Sequence, residues 1–375
     1  MSPSNTPINV TCTVDKTDFA DLQVLEQALQ KTDSLAEGQV LFQVDRFSFT
    51  ANNITYAAMG NMLRYWEFFP QASGRGVIPV WGFADVIGSN CDAVSVGERV
   101  YGYFPMASHV VMQPAKINDS SFVDGTEHRR SLPVIYNQYI RVAADPIYSA
   151  DTEALQMLLR PLFTTSFLLD DFFADSDFFG ARSLVLTSAS SKTALGMAFL
   201  LQQHRDAREQ QYEIVGLTSQ KNLDFVQGLG CYDRVLTYDR VSELDAGVPT
   251  ALVDFAGMAD LIGELHEHFQ DQLQYSCRVG ASHWDATANA SGKLPGPTPQ
   301  MFFAPTQAQK RLQEWGGVEF QTRVATAWFR FIKFVDQWME VDESLGVAAT
   351  EQVYQQTLKG QVNPCTGNIL SLLDR

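Results

Sequence analysis

A strand–turn–helix pattern that repeats constrains this chain more than any other feature. Ser183-Leu184-Val185-Leu186-Thr187 is a short apolar run of strand formers that breaks into the polar turn Ser188-Ala189-Ser190-Ser191-Lys192-Thr193. A helical pattern follows over 194–201, and then the unit recurs. Residues 212–218 predict a second strand, 220–229 a second helix and 234–238 a third strand. Parallel strands need crossovers and helices supply them, so the pattern predicts an α/β fold around a parallel sheet with both faces covered. In such sheets ligands bind at the carboxyl ends of the strands, where helix N-termini point free N–H groups outward. The expected site therefore opens at Ser188.

The 375 residues leave room for two or three domains, and a hydrophobic content of 45% can fill ordinary cores. Lys and Arg number 27 against 43 Asp and Glu, and the resulting net charge of -16 repels phosphate backbones and anionic lipid. Neither nucleic acid nor a membrane is an expected partner. Cys12, Cys91, Cys231, Cys277 and Cys365 stand singly, without metal-type spacing to His, as expected in a reducing compartment. Residues 1–7 show neither a basic n-region nor an apolar h-region, so a cytoplasmic location is expected.

Upstream of the repeat the chain reads mostly as β-structure. Residues 18–31 are the exception, with a helical pattern that gives Leu22, Val24, Leu25 and Leu29 a packing face. Strands are predicted over 39–49, 77–87, 98–104 and 108–112, with turns at Gly and Pro.

Several pieces, in this order, resemble the medium-chain dehydrogenase/reductase superfamily. They are the Asn-containing segment Ala51-Asn52-Asn53-Ile54-Thr55-Tyr56, the strand Pro79-Val80-Trp81-Gly82 and the turn Val96-Gly97-Glu98-Arg99-Val100-Tyr101-Gly102. Further on come Leu229-Gly230-Cys231-Tyr232-Asp233-Arg234-Val235, then Val253-Asp254-Phe255-Ala256-Gly257, and a closing strand within 360–372. The resemblance implies a GroES-like β domain over 1–160, a Rossmann doubly wound parallel-sheet domain over 161–335, and a return to the first domain over 336–375. It also implies a homodimer formed by pairing Rossmann-sheet edges. Residues 120–160 depart from the superfamily's pattern and read as an insertion in an uncharacterised side branch.

Zinc-dependent members of that superfamily carry a Cys near the position of Thr55 and Tyr56 and Gly-His-Glu where this chain has Gly82-Phe83-Ala84. Phe and Ala offer zinc no ligand. The resemblance therefore points to the zinc-independent, quinone-oxidoreductase-like branch, with hydride transfer from NADPH to a conjugated carbonyl, quinone or enoyl substrate.

The phosphate turn lacks the usual glycines. Ser188, Ser190, Ser191 and Thr193 instead offer hydroxyls, and Lys192 places a cation at a helix start, all suited to a pyrophosphate. Plain helix capping is the competing reading of the same residues, the less favoured one in this strand–turn–helix setting. After the second strand, Leu217-Thr218-Ser219-Gln220-Lys221-Asn222 shows no carboxylate for a ribose hydroxyl, while Ser219 and Lys221 can clasp a 2′-phosphate, which favours NADPH over NADH. At the reacting end the superfamily's pattern points to Asn53 and to Tyr56 as proton donor, with Tyr65 as a rival, and to Ser282 and His283 near the nicotinamide. The cations of Glu127-His128-Arg129-Arg130, with Arg141 and Arg160, fit either an anionic substrate or ordinary exposed charge. His266 and His268 read as lying on a polar helical face. Two function classes fit these residues: a zinc-free NADPH-dependent reductase of a small-molecule substrate, and a catalytically silent NADPH-binding sensor or scaffold.

Overall fold

The computed structural model describes residues 7–72, 74–208, 211–279 and 294–373. The chain forms two compact units, Met1–Leu158 with Met339–Arg375, and Leu159–Trp338.

The second unit is built on strands β1 (Ser183–Leu186), β2 (Glu213–Thr218), β3 (Arg234–Thr237), β4 (Thr250–Asp254), β5 (Leu273–Arg278) and β6 (Gln300–Met301). They lie in the order β3-β2-β1-β4-β5-β6 with every pairing parallel, which is the doubly wound Rossmann order. Helices α1 (Lys192–Arg205), α2 (Leu223–Gly228) and α3 (Ala259–Phe269) supply crossovers. All of β1 is buried, as is α1 from Ala194 to Leu201, because a parallel sheet is covered on both faces. Val185, Val215, Leu217 and Leu252 pack with Leu261, Leu265 and Phe269 of α3 in one core. A further pair, α4 (Ala304–Trp315) and α5 (Gly317–Val335), follows the sheet. Phe331 of α5 stacks on Phe163 at 4.6 Å, and Trp328 beside it is fully buried. The direction of the sheet reverses between β1 and β4, so their carboxyl ends frame the place where this fold holds a ligand.

The first unit is β-rich. Its larger sheet runs through Glu340–Leu345, Thr366–Ser371, Val40–Phe49, Pro79–Ser89, Arg99–Pro105, Gln138–Arg141, Ser121–Asp124 and Pro114–Ala115, with His109–Met112 also paired to Val40–Phe49. The strand Thr366–Ser371 brings the end of the chain back beside Val40–Phe49, Asn368 opposite Phe49. Gln138–Arg141 pairs with Arg99–Pro105, so part of the segment that departs from the superfamily's pattern is woven into this sheet.

Residues 18–31 do not form the expected helix. Leu22–Ala28 is a strand, antiparallel to Ile8–Asp15 with Leu25 opposite Thr11. The Leu, Gln, Glu and Ala there carry a helix preference of only tenths of a kcal/mol each, which cross-strand pairing overrides. No helix among the described residues is long and apolar enough to cross a membrane.

Candidate functional site

At the carboxyl end of β1 the chain is pinned by a buried pair. Thr187 donates from Oγ1 to Asp254 Oδ1 at 2.7 Å and accepts from the N–H groups of Phe255 (2.9 Å) and Ala256 (3.1 Å). The Asp254 carboxylate also receives the N–H of Gly257 at 3.1 Å. This ties together the ends of β1 and β4, the strands that flank the reversal.

The turn that follows is compact. Ser188 adopts a left-handed conformation (φ 51°), and Tyr238, whose hydroxyl is pushed up by burial, hydrogen-bonds to it. Ala189 donates its N–H to Leu217 O at 2.9 Å, and its carbonyl accepts from the Tyr232 hydroxyl at 2.9 Å. The turn can lie this low because the facing residue of β2 is Gly216. A Cβ at 216 would stand 2.9 Å from Ala189 Cβ and 2.9 Å from the Tyr232 ring.

The expected phosphate ligands lie on this turn and the next one. Ser191 is the N-cap of α1, its Oγ accepting from Ala194 N at 3.4 Å, so capping accounts for one of its lone pairs. Lys192 and Thr193 open α1 and are half-buried. Ser190 Oγ accepts from Asn222 Nδ2 at 2.9 Å, which joins the β1 turn to the one after β2. Ser219 stands at the start of that second turn without using its side chain as a cap, and Lys221 is exposed on it.

The residues expected at the reacting end lie in the first unit. Helix Ala51–Ala58 starts with a capping box in which Asn53 Oδ1 accepts from Thr50 N at 2.8 Å, while its Nδ2 donates to Pro79 O at 3.0 Å. Both ends of the Asn53 amide are therefore engaged in holding the helix. Tyr56 is buried, and its hydroxyl oxygen accepts from Trp81 Nε1 at 3.1 Å. Its ring packs against Tyr65 (4.8 Å) and edge-on to Tyr103 (5.4 Å). Tyr65 shares a hydroxyl hydrogen bond of 3.2 Å with Tyr136, a residue that composition and spacing did not single out. Burial, and after it Tyr136, pushes the Tyr56 hydroxyl well up, while burial and Tyr56 push Tyr65 up to about 12. These phenols hold their protons at neutral pH and can act as donors.

Other expectations resolve differently. Ser282 and His283 lie outside the described residues. Arg129 is neither exposed nor spare. Its buried guanidinium donates to Phe68 O (3.0 Å), Asn137 Oδ1 (3.2 Å) and the Tyr139 hydroxyl (2.8 Å), with Asp124 at 3.3 Å. Such a buried charge persists because Asp124 balances it and its Nε and Nη1 find acceptors. Arg141 donates to Ala93 O at 2.6 Å and pairs with Glu98. His266 is fully buried rather than on a polar face, held between Pro295 O (2.8 Å) and Ser276 Oγ (2.9 Å). Phe83, where zinc-binding relatives place a ligand, is fully buried in the β core. Among the described residues no cluster of His, Cys, Asp or Glu is arranged to hold a metal ion.

A family model described as a protein of unknown function (DUF2855) matches residues 47–363. No curated protein matches the sequence. Among solved structures, the quinone oxidoreductase from Coxiella burnetii is similar at 13% identity and a TM-score of 0.54, covering 98% of this chain and 100% of that one. CurA from Vibrio vulnificus, solved in complex with NADPH, is similar at 11% identity and a TM-score of 0.58, with 98% and 99% covered. A mutant form of the enoyl thioester reductase from Candida tropicalis is similar at 12% identity and a TM-score of 0.53, with 97% and 100% covered. At these identities the likeness is one of fold: a GroES-like β unit and a Rossmann unit, in the superfamily's order along the chain.

Proposed function

The chain belongs to the DUF2855 family of proteins of unknown function, so its activity has to be read from the residues it assembles, and we propose that it is a zinc-independent, NADPH-dependent oxidoreductase. One observation carries the reading. At the carboxyl ends of β1 and β2, two turns rich in hydroxyls and cations are joined through Asn222 and Ser190 at 2.9 Å. That donor set fits a phosphorylated dinucleotide. Ser190, Ser191, Lys192 and Thr193 would meet the pyrophosphate, and Ser219 and Lys221 the 2′-phosphate.

NADPH supplies a hydride when bound. Conjugated carbonyls, quinones and enoyl compounds are the substrates this reading favours. The protein's own part is to orient the substrate and deliver a proton. Tyr56 is the favoured donor, its oxygen held by Trp81 Nε1 and its proton retained at neutral pH. The proposal includes a homodimer formed along β6, an edge strand whose Gln300 and Met301 are exposed. Sedimentation showing only monomer at micromolar concentration would count against that part. A reducing, cytoplasmic setting suits Cys12, Cys91, Cys231, Cys277 and Cys365, none of which is joined in a disulfide.

One observation favours a silent NADPH-binding sensor or scaffold instead: both the oxygen and the nitrogen of the Asn53 amide are engaged within the protein. Scanning NADPH oxidation against quinones, enones and enoyl thioesters separates the two, since a sensor binds without turnover. The cofactor assignment has its own test. Lys221→Ala should weaken NADPH by roughly 1.5–3 kcal/mol, the range for hydrogen bonds to charged groups, and leave NADH nearly unchanged. Lys221→Asp should narrow or reverse the preference. Parallel losses for both cofactors would mean that Lys221 supports the fold.

A further inference from the structure

Two loops of the first unit hold large apolar side chains in solvent. Met62 and Leu63 are 52% and 44% exposed, and Val134 and Ile135 are 60% and 44% exposed. Single exposed apolar residues are ordinary, but these loops are fastened to one another. Arg64 donates to Ser131 O at 3.3 Å and to Ser131 Oγ at 2.9 Å, and the Tyr65 and Tyr136 hydroxyls meet at 3.2 Å. The two exposed apolar pairs thus flank a junction where the loops are tied together, and clustered exposed apolar side chains are the kind that mark a binding surface.

Each loop runs directly from its apolar pair into the tyrosine cluster, Leu63-Arg64-Tyr65 on one side and Ile135-Tyr136 on the other. Tyr136 is half-buried, whereas Tyr56, Tyr65 and Tyr103 are buried. Tyr103 packs against Tyr56 at 5.4 Å and Tyr136 at 5.1 Å, and its buried hydroxyl finds no hydrogen-bond partner. Buried hydroxyls in proteins nearly always have one, so a hydroxyl left over inside a cluster of phenols points to an oxygen that arrives with a ligand. The adjacent guanidiniums are already neutralised, Arg64 by Glu67 at 2.6 Å and Arg129 by its buried partners. An uncharged ligand fits this setting better than an anion.

We propose that the loops 61–65 and 131–136 form the mouth of the substrate site, and that the substrate is an uncharged carbonyl compound with an extended apolar tail. Its oxygen meets the Tyr103 hydroxyl, beside the paired hydroxyls of Tyr65 and Tyr136, and its tail lies across Met62, Leu63, Val134 and Ile135. The inference rests on the reductase reading for the word substrate, but its test needs no turnover.

Saturated methyl ketones from butan-2-one to undecan-2-one carry the carbonyl and the tail without an activated double bond. Their binding, read by quenching of tryptophan fluorescence, should tighten with each added carbon, by up to about four-fold for a fully buried methylene. Val134→Ser with Ile135→Ser, both at exposed positions, should flatten that slope by half or more. Tyr103→Phe, which breaks no hydrogen bond within the protein, should weaken every ketone by a common factor of about five to ten, the worth of one hydrogen bond, and leave the slope. Equal affinity across the series, or a slope unchanged in the double variant, overturns the proposal. So does a double variant that changes the sedimentation coefficient, because the patch is then an interface between copies of the chain. Alk-2-enals of the same lengths test the reductase reading separately. Chain-length-dependent ketone binding with no NADPH oxidation by any enal would leave the mouth standing and remove the activity.

Discussion

Replacing Thr187 by Val tests whether the buried pair at the ends of β1 and β4 holds the nucleotide-binding edge together. Valine keeps the shape of the side chain and removes only the hydroxyl, whose donor and two acceptor positions are all in use here. Ala256 N keeps a second acceptor, Asp254 Oδ1 at 3.1 Å, so the loss falls on the carboxylate and on Phe255 N. A hydrogen bond to a charged group contributes about 1.5–3 kcal/mol, and an orphaned N–H costs about 1–3 kcal/mol. The Phe255 turn is only half-buried and water can reach it, which places the expected destabilisation near the lower end of that sum, at about 3 kcal/mol. Hydrogen exchange resolved to peptides covering 183–187 and 250–257 should then show protection reduced on the order of 100-fold. Thr187→Ser keeps the hydroxyl and should recover most of it. Protection in Thr187→Val within about threefold of the parent would refute the reasoning. A serine variant as damaged as valine would do the same, by shifting the cause to packing.

Other consequences are open to measurement. Tyr56→Phe keeps the ring contacts and loses the acceptor for Trp81 Nε1, so turnover should fall by about 10²–10⁴ with NADPH affinity unchanged. Undiminished turnover would remove Tyr56 as the donor. In alkali, unfolded tyrosines ionise near pH 10, whereas burial holds Tyr65 up at about 12 and Tyr103 and Tyr136 well above the ordinary value. Above pH 10 the unfolded state therefore binds fewer protons than the folded one, and stability, level below that point, should decline as pH rises. Tyrosinate absorbance from these residues should appear together with loss of the fold, and their titration near pH 10 in an intact protein would contradict the account.

What could be read from the sequence was mostly local. The β1 turn and α1 announced themselves because Ser191 caps the helix just after an apolar strand, a pattern confined to a dozen consecutive residues. The partner of Thr187 could not be found that way. Asp254 lies on another strand, and only the parallel register of β1 and β4 brings the two together. Tyr136 was hidden for the same reason, since its meeting with Tyr65 joins two loops far apart in the chain. Asn53 was legible as a position, but its engagement depends on Pro79 O, which no motif encodes. The mistaken helix over 18–31 shows the opposite failure, a local preference overruled by pairing with Ile8–Asp15.

Gly216 changes what a search for this fold's signature should look for. Fingerprints of dinucleotide folds count glycines inside the turn, because there they let backbone and ligand come close. Here the missing atoms are on the neighbouring strand, and they make room for Ala189 and the Tyr232 ring rather than for a ligand. The unit of constraint is then a triplet drawn from three elements, and its members can change only in concert. A larger residue at 216 would demand a smaller one at 189 or a displaced ring at 232. Descendants of this turn should thus be recognisable by a linked set of sizes at those positions, even where no row of glycines survives to mark them.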